Sequence, residues 1–199
     1  CTGHIESQFS LTCVHINPGW VEASDNTQLC RWTMKTGFKE SVLISHDAAK
    51  QVHLLGMQEF SETDTWIHFR NSDELIMSCR RYLEDYPDFS EIIEESGGES
   101  VTLPKGLIEV AERAQVFSAE GLKIEKNRDR VRVDLKPGKS RIRGEGISGG
   151  YSETRKLPGY NGKSLSFLIA PDLLKDLVRK HNTCLLSEDK LRVEAENYT

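Results

Sequence analysis

One stretch of this chain occurs twice. Residues 43–52 read Leu-Ile-Ser-His-Asp-Ala-Ala-Lys-Gln-Val, and residues 168–177 read Leu-Ile-Ala-Pro-Asp-Leu-Leu-Lys-Asp-Leu, an offset of 125 from Leu43 to Leu168. In each copy an apolar run gives way to helical spacing, the pattern of a strand entering a helix, with Asp and Lys at the same places. A polar hairpin and an apolar strand then follow, at Leu75-Ile76-Met77 and at Leu191-Arg192-Val193. A repeat constrains the fold more than local propensity does, because one supersecondary unit has to suit both copies. Two copies of one domain are therefore expected. The second copy opens with a helix over 104–117 whose counterpart would precede residue 1, and the first continues through Cys79 to Glu84 where the second reaches Thr199. On this reading the chain lacks a helix at its start and a strand at its finish.

Three segments have helical spacing: 45–57 with Ala49, Val52 and Leu55, 104–117 with Leu107, Ile108, Ala111 and Ala114, and 171–180 with Leu173, Leu174, Leu177 and Val178. Ser45 is placed to N-cap the first, and Pro104 and Pro171 suit a first helical turn, where no intrahelical N–H bond is lost. Strands are expected at 8–15, 20–24, 28–33, 66–70, 74–79, 130–135, 140–144, 165–169 and 191–195, several of them separated by Asn-Pro-Gly, Lys-Pro-Gly or Asn-Gly turns. The fold class is α+β with antiparallel sheets and few helices.

Residues 94–100, Glu-Glu-Ser-Gly-Gly-Glu-Ser, have no apolar periodicity and read as a linker. The charge changes sign at the same place. Residues 1–100 hold 7 Lys and Arg against 17 Asp and Glu, and residues 101–199 hold 19 against 14, a split of −10 and +5. The expected domains are 1–100 and 101–199, the second basic enough to face a polyanion. No apolar run approaches the roughly 20 residues of a membrane span. The five cysteines are odd in number and widely spaced, without a Cys-x-x-Cys pair, which disfavours a disulfide framework and a structural zinc site and fits a reducing cytoplasm.

Several groupings invite a catalytic reading. Ser45-His46-Asp47 has the residue types of a triad, but consecutive helical side chains diverge by about 100°, so an N-cap with a first-turn acid is favoured. Cys13 and His15 share a strand face without a third ligand at metal spacing. Glu84, Asp85, Asp88, Glu91, Glu94 and Glu95 form a solvated acidic edge with no base beside them. Residues 144–150 are glycine-rich like a phosphate loop, yet no Lys-Ser/Thr or helix follows, and a hairpin connection is expected. No enzyme, metal or cofactor is indicated. Off the apolar stripes the helices carry His46, Lys50 and His53, then Lys105 and Arg113, then Lys175, Arg179 and Lys180, a set suited to phosphates without base readout.

Residues 103–114 (Leu-Pro-Lys-Gly-Leu-Ile-Glu-Val-Ala-Glu-Arg-Ala), 129–133 (Asp-Arg-Val-Arg-Val), 140–153 and 165–177 closely resemble the third domain of the bacterial sliding clamp, the beta subunit of DNA polymerase III. Residues 21–29 resemble the clamp segment of pattern A-T-D-G-H-R-L, and Tyr86-Pro87-Asp88-Phe89 its turn into the third domain. The resemblance implies repeated clamp domains, each of two helices on antiparallel sheet, with 1–100 a truncated second domain and 101–199 a third domain lacking its last strand. It implies a processivity factor, a homodimer at full length, that encircles duplex DNA in the cytoplasm. It also implies a pocket for short peptides of polymerase, clamp loader and repair proteins, walled by Phe9, Ser24, Leu29, Pro87, Ile92, Ala170 and Leu173. Asn26, Thr27, Gln28 and Glu91 depart from the cationic pocket rim of the family, which suggests a divergent or phage-encoded clamp. A clamp-like peptide-docking module that does not encircle DNA is the alternative.

Overall fold

The computed structural model describes residue 2, residues 8–25, 28–94, 97–118, 130–147, 149–187 and 190–194, with the side chain of Lys180 outside the description. The chain divides into two compact units, one within residues 1–94 and one within 95–195.

The first unit begins with a 3-10 turn at Phe9–Thr12 and continues as β1 (Cys13–Asn17), β2 (Trp20–Ser24), β3 (Leu29–Thr33), β4 (Val42–Ser45), α1 (His46–Leu54), β5 (Glu59–Glu62), β6 (Trp66–Arg70), β7 (Ile76–Arg80) and α2 (Ser90–Glu94). Its antiparallel sheets have the orders β3-β2-β1-β4 and β5-β6-β7. The Asn17 side chain accepts from the Gly19 N–H at 3.2 Å and sets the turn between β1 and β2. Ile16, Phe38, Val42, Ile44, Ala48, Ile67, Phe69 and Cys79 form the buried core, and Phe60 stacks on Phe38 at 4.1 Å. The Ser45 hydroxyl accepts from the Ala48 N–H at 3.2 Å and caps α1.

The second unit runs β8 (Glu99–Thr102), α3 (Leu107–Ser118), β9 (Val131–Lys136), β10 (Gly138–Gly146), β11 (Gly149–Leu157), β12 (Leu165–Ile169), α4 (Pro171–Lys180), β13 (Thr183–Leu186) and β14 (Leu191–Arg192). Its sheets have the orders β11-β10-β9-β12 and β14-β13-β8. The first of these repeats the order of the first unit, and the register repeats too. Ile16 faces Val21 and Val42, as Val133 faces Ile142 and Phe167. Thus the ten-residue repeat marks a whole four-stranded sheet and the helix that leaves it.

Alternation explains which face is buried. Val131, Val133 and Leu135 point inward from β9 while Arg132 and Lys136, of the opposite parity, are exposed. Helix α3 covers the inward face, packing on β9, β10 and β11 and against α4. It does so with Leu107, Val110, Ala111 and Ala114, all fully buried. Each Leu or Val so buried contributes about 1.5–3 kcal/mol. The small side chains bring α3 close to the sheet. At Gly144 the approach is so tight that a Cβ would overlap the Ala114 carbonyl.

Some expectations are corrected. Residues 9–12 form the 3-10 turn, so β1 starts at Cys13. Helix α3 begins at Leu107, leaving Pro104 outside its first turn, where its carbonyl accepts from Leu107 N–H at 2.9 Å. The linker is shorter than 94–100, because Ser90–Glu94 is helical and Glu99 and Ser100 pair with Leu186 and Leu185. Strands β5, β8, β11 and β13 join those expected. Counting from the helix, Leu191–Arg192 is the second strand and Ile76–Arg80 the third, so the strand that corresponds to β14 is β6.

The close approach at Gly144 gives a test of the fold. Gly144→Ala should destabilise the second unit by about 1–3 kcal/mol or more, because the backbone it meets cannot rotate away. Gly106→Ala has open space around it and should be within about 0.5 kcal/mol of wild type in the same urea titration.

Candidate nucleic-acid interface

The cations singled out on the helices fall into two groups. On α1, His46, Lys50 and His53 are exposed and stand at i, i+4 and i+7, which places them along one side of the helix. Asp47 and the Ser45 cap sit at the same helix end, and His46 Nδ1 lies 2.9 Å from Thr2 Oγ1. Lys50 has no acidic partner among the described residues, and neither has Lys105, exposed in the turn before α3.

The second group is already paired. Arg113 donates to the Glu153 carboxylate at 2.6 Å and to the Tyr151 hydroxyl at 2.7 Å. Hydrogen bonds from Tyr151 and Arg113 hold the Glu153 carboxyl below the usual carboxylate range. Lys175, half-buried, meets Asp172 at 2.7 Å and donates to Gln115 Oε1 at 3.3 Å. Arg179 lies 3.7 Å from Glu112. Helices α3 and α4 pack together, so these residues belong to one helical layer whose net positive charge is smaller than the sequence alone implies. The Lys180 side chain lies outside the described residues.

The residues expected to wall a peptide pocket are placed separately in each unit. In the first, Phe9 is exposed with its ring edge on Tyr82 at 4.9 Å, Leu29 and Pro87 are half-buried, and Ile92 is exposed on α2. Ser24 is buried and donates to the Gln28 carbonyl at 3.0 Å. In the second, Ala170 is the exposed N-cap residue of α4, and Leu173 is half-buried, off the fully buried positions of Leu174 and Val178. Asn26 and Thr27 lie outside the described residues, as does Glu95 of the acidic edge. Within that edge Asp88 accepts from the Ser90 N–H at 2.9 Å and caps α2. Residues 144–150 close the β10–β11 hairpin, Ser148 lying outside the described residues.

One cluster was not anticipated. Glu22, 3% exposed, is held by His15 Nδ1 at 2.7 Å and by Arg31 at 2.7 Å. His15 Nε2 lies 2.5 Å from Ser41 Oγ, the Tyr86 ring covers the imidazole at 4.5 Å, and the Arg31 guanidinium lies over the Trp20 ring. Burial and the nearby Glu22 charge push the Tyr86 hydroxyl up to about 12. Serine, histidine and carboxylate stand here in the order of a nucleophile, base and orienter. However, Arg31 already neutralises Glu22, so the carboxylate is not free to stabilise an imidazolium. The cluster locks three strands together. His15 faces Glu22 and Glu22 faces Arg31 across the sheet, and that row was readable only once the register was known.

An α+β chain with this repeated order of sheet and helix has the fold of the bacterial DNA sliding clamps. It is similar to the DNA polymerase III beta subunit of Pseudomonas aeruginosa, at a TM-score of 0.77 and 15% identity over 99% of this chain and 59% of that one. It is also similar to the Bacillus subtilis polymerase sliding clamp, at 0.74 and 17% over 100% and 57%, and to a Bartonella birtlesii clamp bound to griselimycin, at 0.78 and 14% over 100% and 60%. The chain therefore spans about three-fifths of the length of these structures. No protein-family model and no curated protein sequence matches it.

Glu22 supplies a stability test. Burial alone would raise its carboxyl, but the hydrogen bonds from His15 and Arg31 outweigh that and leave it lowered. Its contribution is present above the ordinary Glu range near about 4.3 and is lost as pH falls through the depressed native value. Glu22→Gln should cost about 3–5 kcal/mol at pH 7, because Arg31 is left unpaired, and the difference from wild type should shrink in urea titrations toward pH 3. A gap that stays constant with pH contradicts the ionic role.

Proposed function

We propose that the protein is a DNA polymerase processivity factor, a sliding clamp that encircles duplex DNA and tethers polymerase and other replication or repair proteins through short peptides. The observation that carries this reading is the pair of units with one strand order, matched along essentially the whole chain to bacterial clamps. Such a protein does its work by topology and charge, without bond chemistry. Contacts by His46, Lys50, His53 and Lys105, and by Arg113, Lys175, Arg179 and Lys180, would be sequence-independent. Paired cations contribute less, since a phosphate has to compete with Glu153, Asp172 or Glu112 for them. Peptide docking is assigned to Phe9, Ser24, Leu29, Pro87, Ile92, Ala170 and Leu173, where an apolar anchor of an extended segment would dock. Action in the cytoplasm and a homodimeric ring at full length belong to the same proposal.

The alternative, a peptide-docking module that does not encircle DNA, draws on the neutralised cations of α3 and α4. Circular DNA separates the two. The full-length protein loaded on nicked plasmid should stay with it through gel filtration and leave when the plasmid is cut once. Equal loss from circular and linear DNA favours the docking module. Lys50→Gln with Lys105→Gln should flatten the dependence of log affinity on log salt by about 1.8, from two phosphate contacts. Separately, Leu173→Asp should keep the circular dichroism spectrum of wild type and abolish binding of a polymerase-derived peptide. A folded Leu173→Asp that binds with unchanged affinity removes Leu173 from the site.

A further inference from the structure

Among the described residues no helix lies on the face of the β11-β10-β9-β12 sheet opposite α3, and that face is strongly cationic. Side chains alternate across the sheet, so those opposite to buried Val131, Val133, Leu135, Ser140 and Ile142 share this face. They include Arg132, Lys136, Lys139, Arg141, Arg143 and Lys156, against the two carboxylates Asp134 and Glu145. Lys139 stands directly opposite both Lys136 and Lys156, which makes a row of three lysines across three adjacent strands. None of the three has an ion pair among the described residues. Like charges directly opposite one another on a sheet are destabilising, and nothing among the described residues relieves this row.

The charges beside the row are only partly satisfied. Asp134 accepts from Arg143 at 2.7 Å and from the Ser166 hydroxyl at 2.8 Å, and Arg132 donates to that hydroxyl at 3.3 Å. Arg141 donates to the Ser152 hydroxyl at 2.7 Å, and Arg143 Nε is buried with no acceptor. The matching positions of the first unit are different. There the row is His15, Glu22 and Arg31, closed into one ionic cluster under Tyr86, where the second unit has Arg132, Arg143 and Ser152.

We infer that this open sheet face is a docking surface for the phosphate backbone of duplex DNA, separate from the helices and independent of ring closure. Lysine, arginine and hydroxyl side chains are the groups that hold phosphates without reading sequence, and Ser152, Thr154 and Ser166 stand exposed among the cations. A single strand is disfavoured, because among the described residues no aromatic side chain on this face offers a base a stacking platform. An acidic protein segment is disfavoured as well. Leu168, at the β12 edge, is the only large apolar side chain of this face among the described residues, and a peptide site needs a desolvated apolar anchor.

The test uses the full chain, a fluorescein-labelled mixed-sequence duplex and anisotropy titrations across a salt series. Lys136→Gln/Lys139→Gln/Lys156→Gln should weaken binding at least tenfold near 0.1 M salt and flatten the log–log salt slope by about 2.7, from three lost phosphate contacts. Lys-to-Arg replacements at the same positions should retain the affinity, and Lys139→Gln alone should flatten the slope by about 0.9. The unliganded triple Gln variant should melt no lower than wild type at low salt, since it removes repulsion, which separates lost binding from lost folding. Lys50→Gln/Lys105→Gln leaves this face intact, so the helical contacts fail or stand on their own measurement. Unchanged affinity and slope in the triple Gln variant overturn the inference. So does tighter binding of poly-glutamate than of duplex at equal salt, which would assign the face to an acidic protein.

Discussion

A β-strand sends successive side chains to opposite faces, and that parity decides most of what this chain does with its charges. Once α3 lies on β9, β10 and β11, the residues Val131, Val133, Leu135, Ser140 and Ile142 have only one place to go. Arg132, Lys136, Lys139, Arg141 and Arg143 are then fixed on the other face, with no freedom to redistribute. A one-residue slip would exchange the two sets and bury five cations, so the register is held by a desolvation cost far larger than any single contact. Gly144 adds to this, because the close seat of Ala114 is available at that strand position and not at its neighbours.

Parity also explains what was legible in the sequence. Strands with one apolar and one polar face, such as Trp20–Ser24, Trp66–Arg70 and Leu165–Ile169, were found with their bounds. β11 was not, because its inward positions are Tyr151, Glu153 and Arg155, which bond to Arg113 or to one another and leave no apolar period to detect. The first half of β8, Glu99 and Ser100, reads as linker because its residues are polar, and in the whole strand only Val101 is buried. Its backbone bonds to β13 are a tertiary event that local composition does not encode. The repeat was the stronger signal, since strand order and register both follow it.

The candidate site was legible in kind and not in charge. The sequence identifies Arg113, Lys175 and Arg179 as cations off the apolar stripe, and each is where the helical spacing put it. Their partners come from elsewhere: Glu153 is 40 residues from Arg113 along the chain, and Glu112 reaches Arg179 from α3. Only Asp172, three residues before Lys175 on the same helix, was visible as an i,i+3 pair. Exposed pairs of this kind are worth about 0–1 kcal/mol to stability. Their larger effect is electrostatic, for each one removes a unit of charge from the field that a phosphate backbone would meet.

The two sheets show how one lattice carries opposite electrostatic solutions. At His15, Glu22 and Arg31 the first unit places a carboxylate between an imidazole and a guanidinium and covers it, which costs desolvation and returns it through short hydrogen bonds. At the same lattice points the second unit places Arg132, Arg143 and Ser152, and four residues further along the same three strands the lysine row has no acidic partner among the described residues. Long lysine stems can splay their ammonium groups into water, so the row is tolerable to the fold at ordinary ionic strength, where charges beyond about 8–10 Å are screened. The same screening sets the reach of the field above the sheet. A closed ion cluster contributes almost nothing outside itself, whereas an open row of like charge projects its potential outward. It is the second unit, therefore, that presents a polyanion with something to bind on the sheet as well as on the helices.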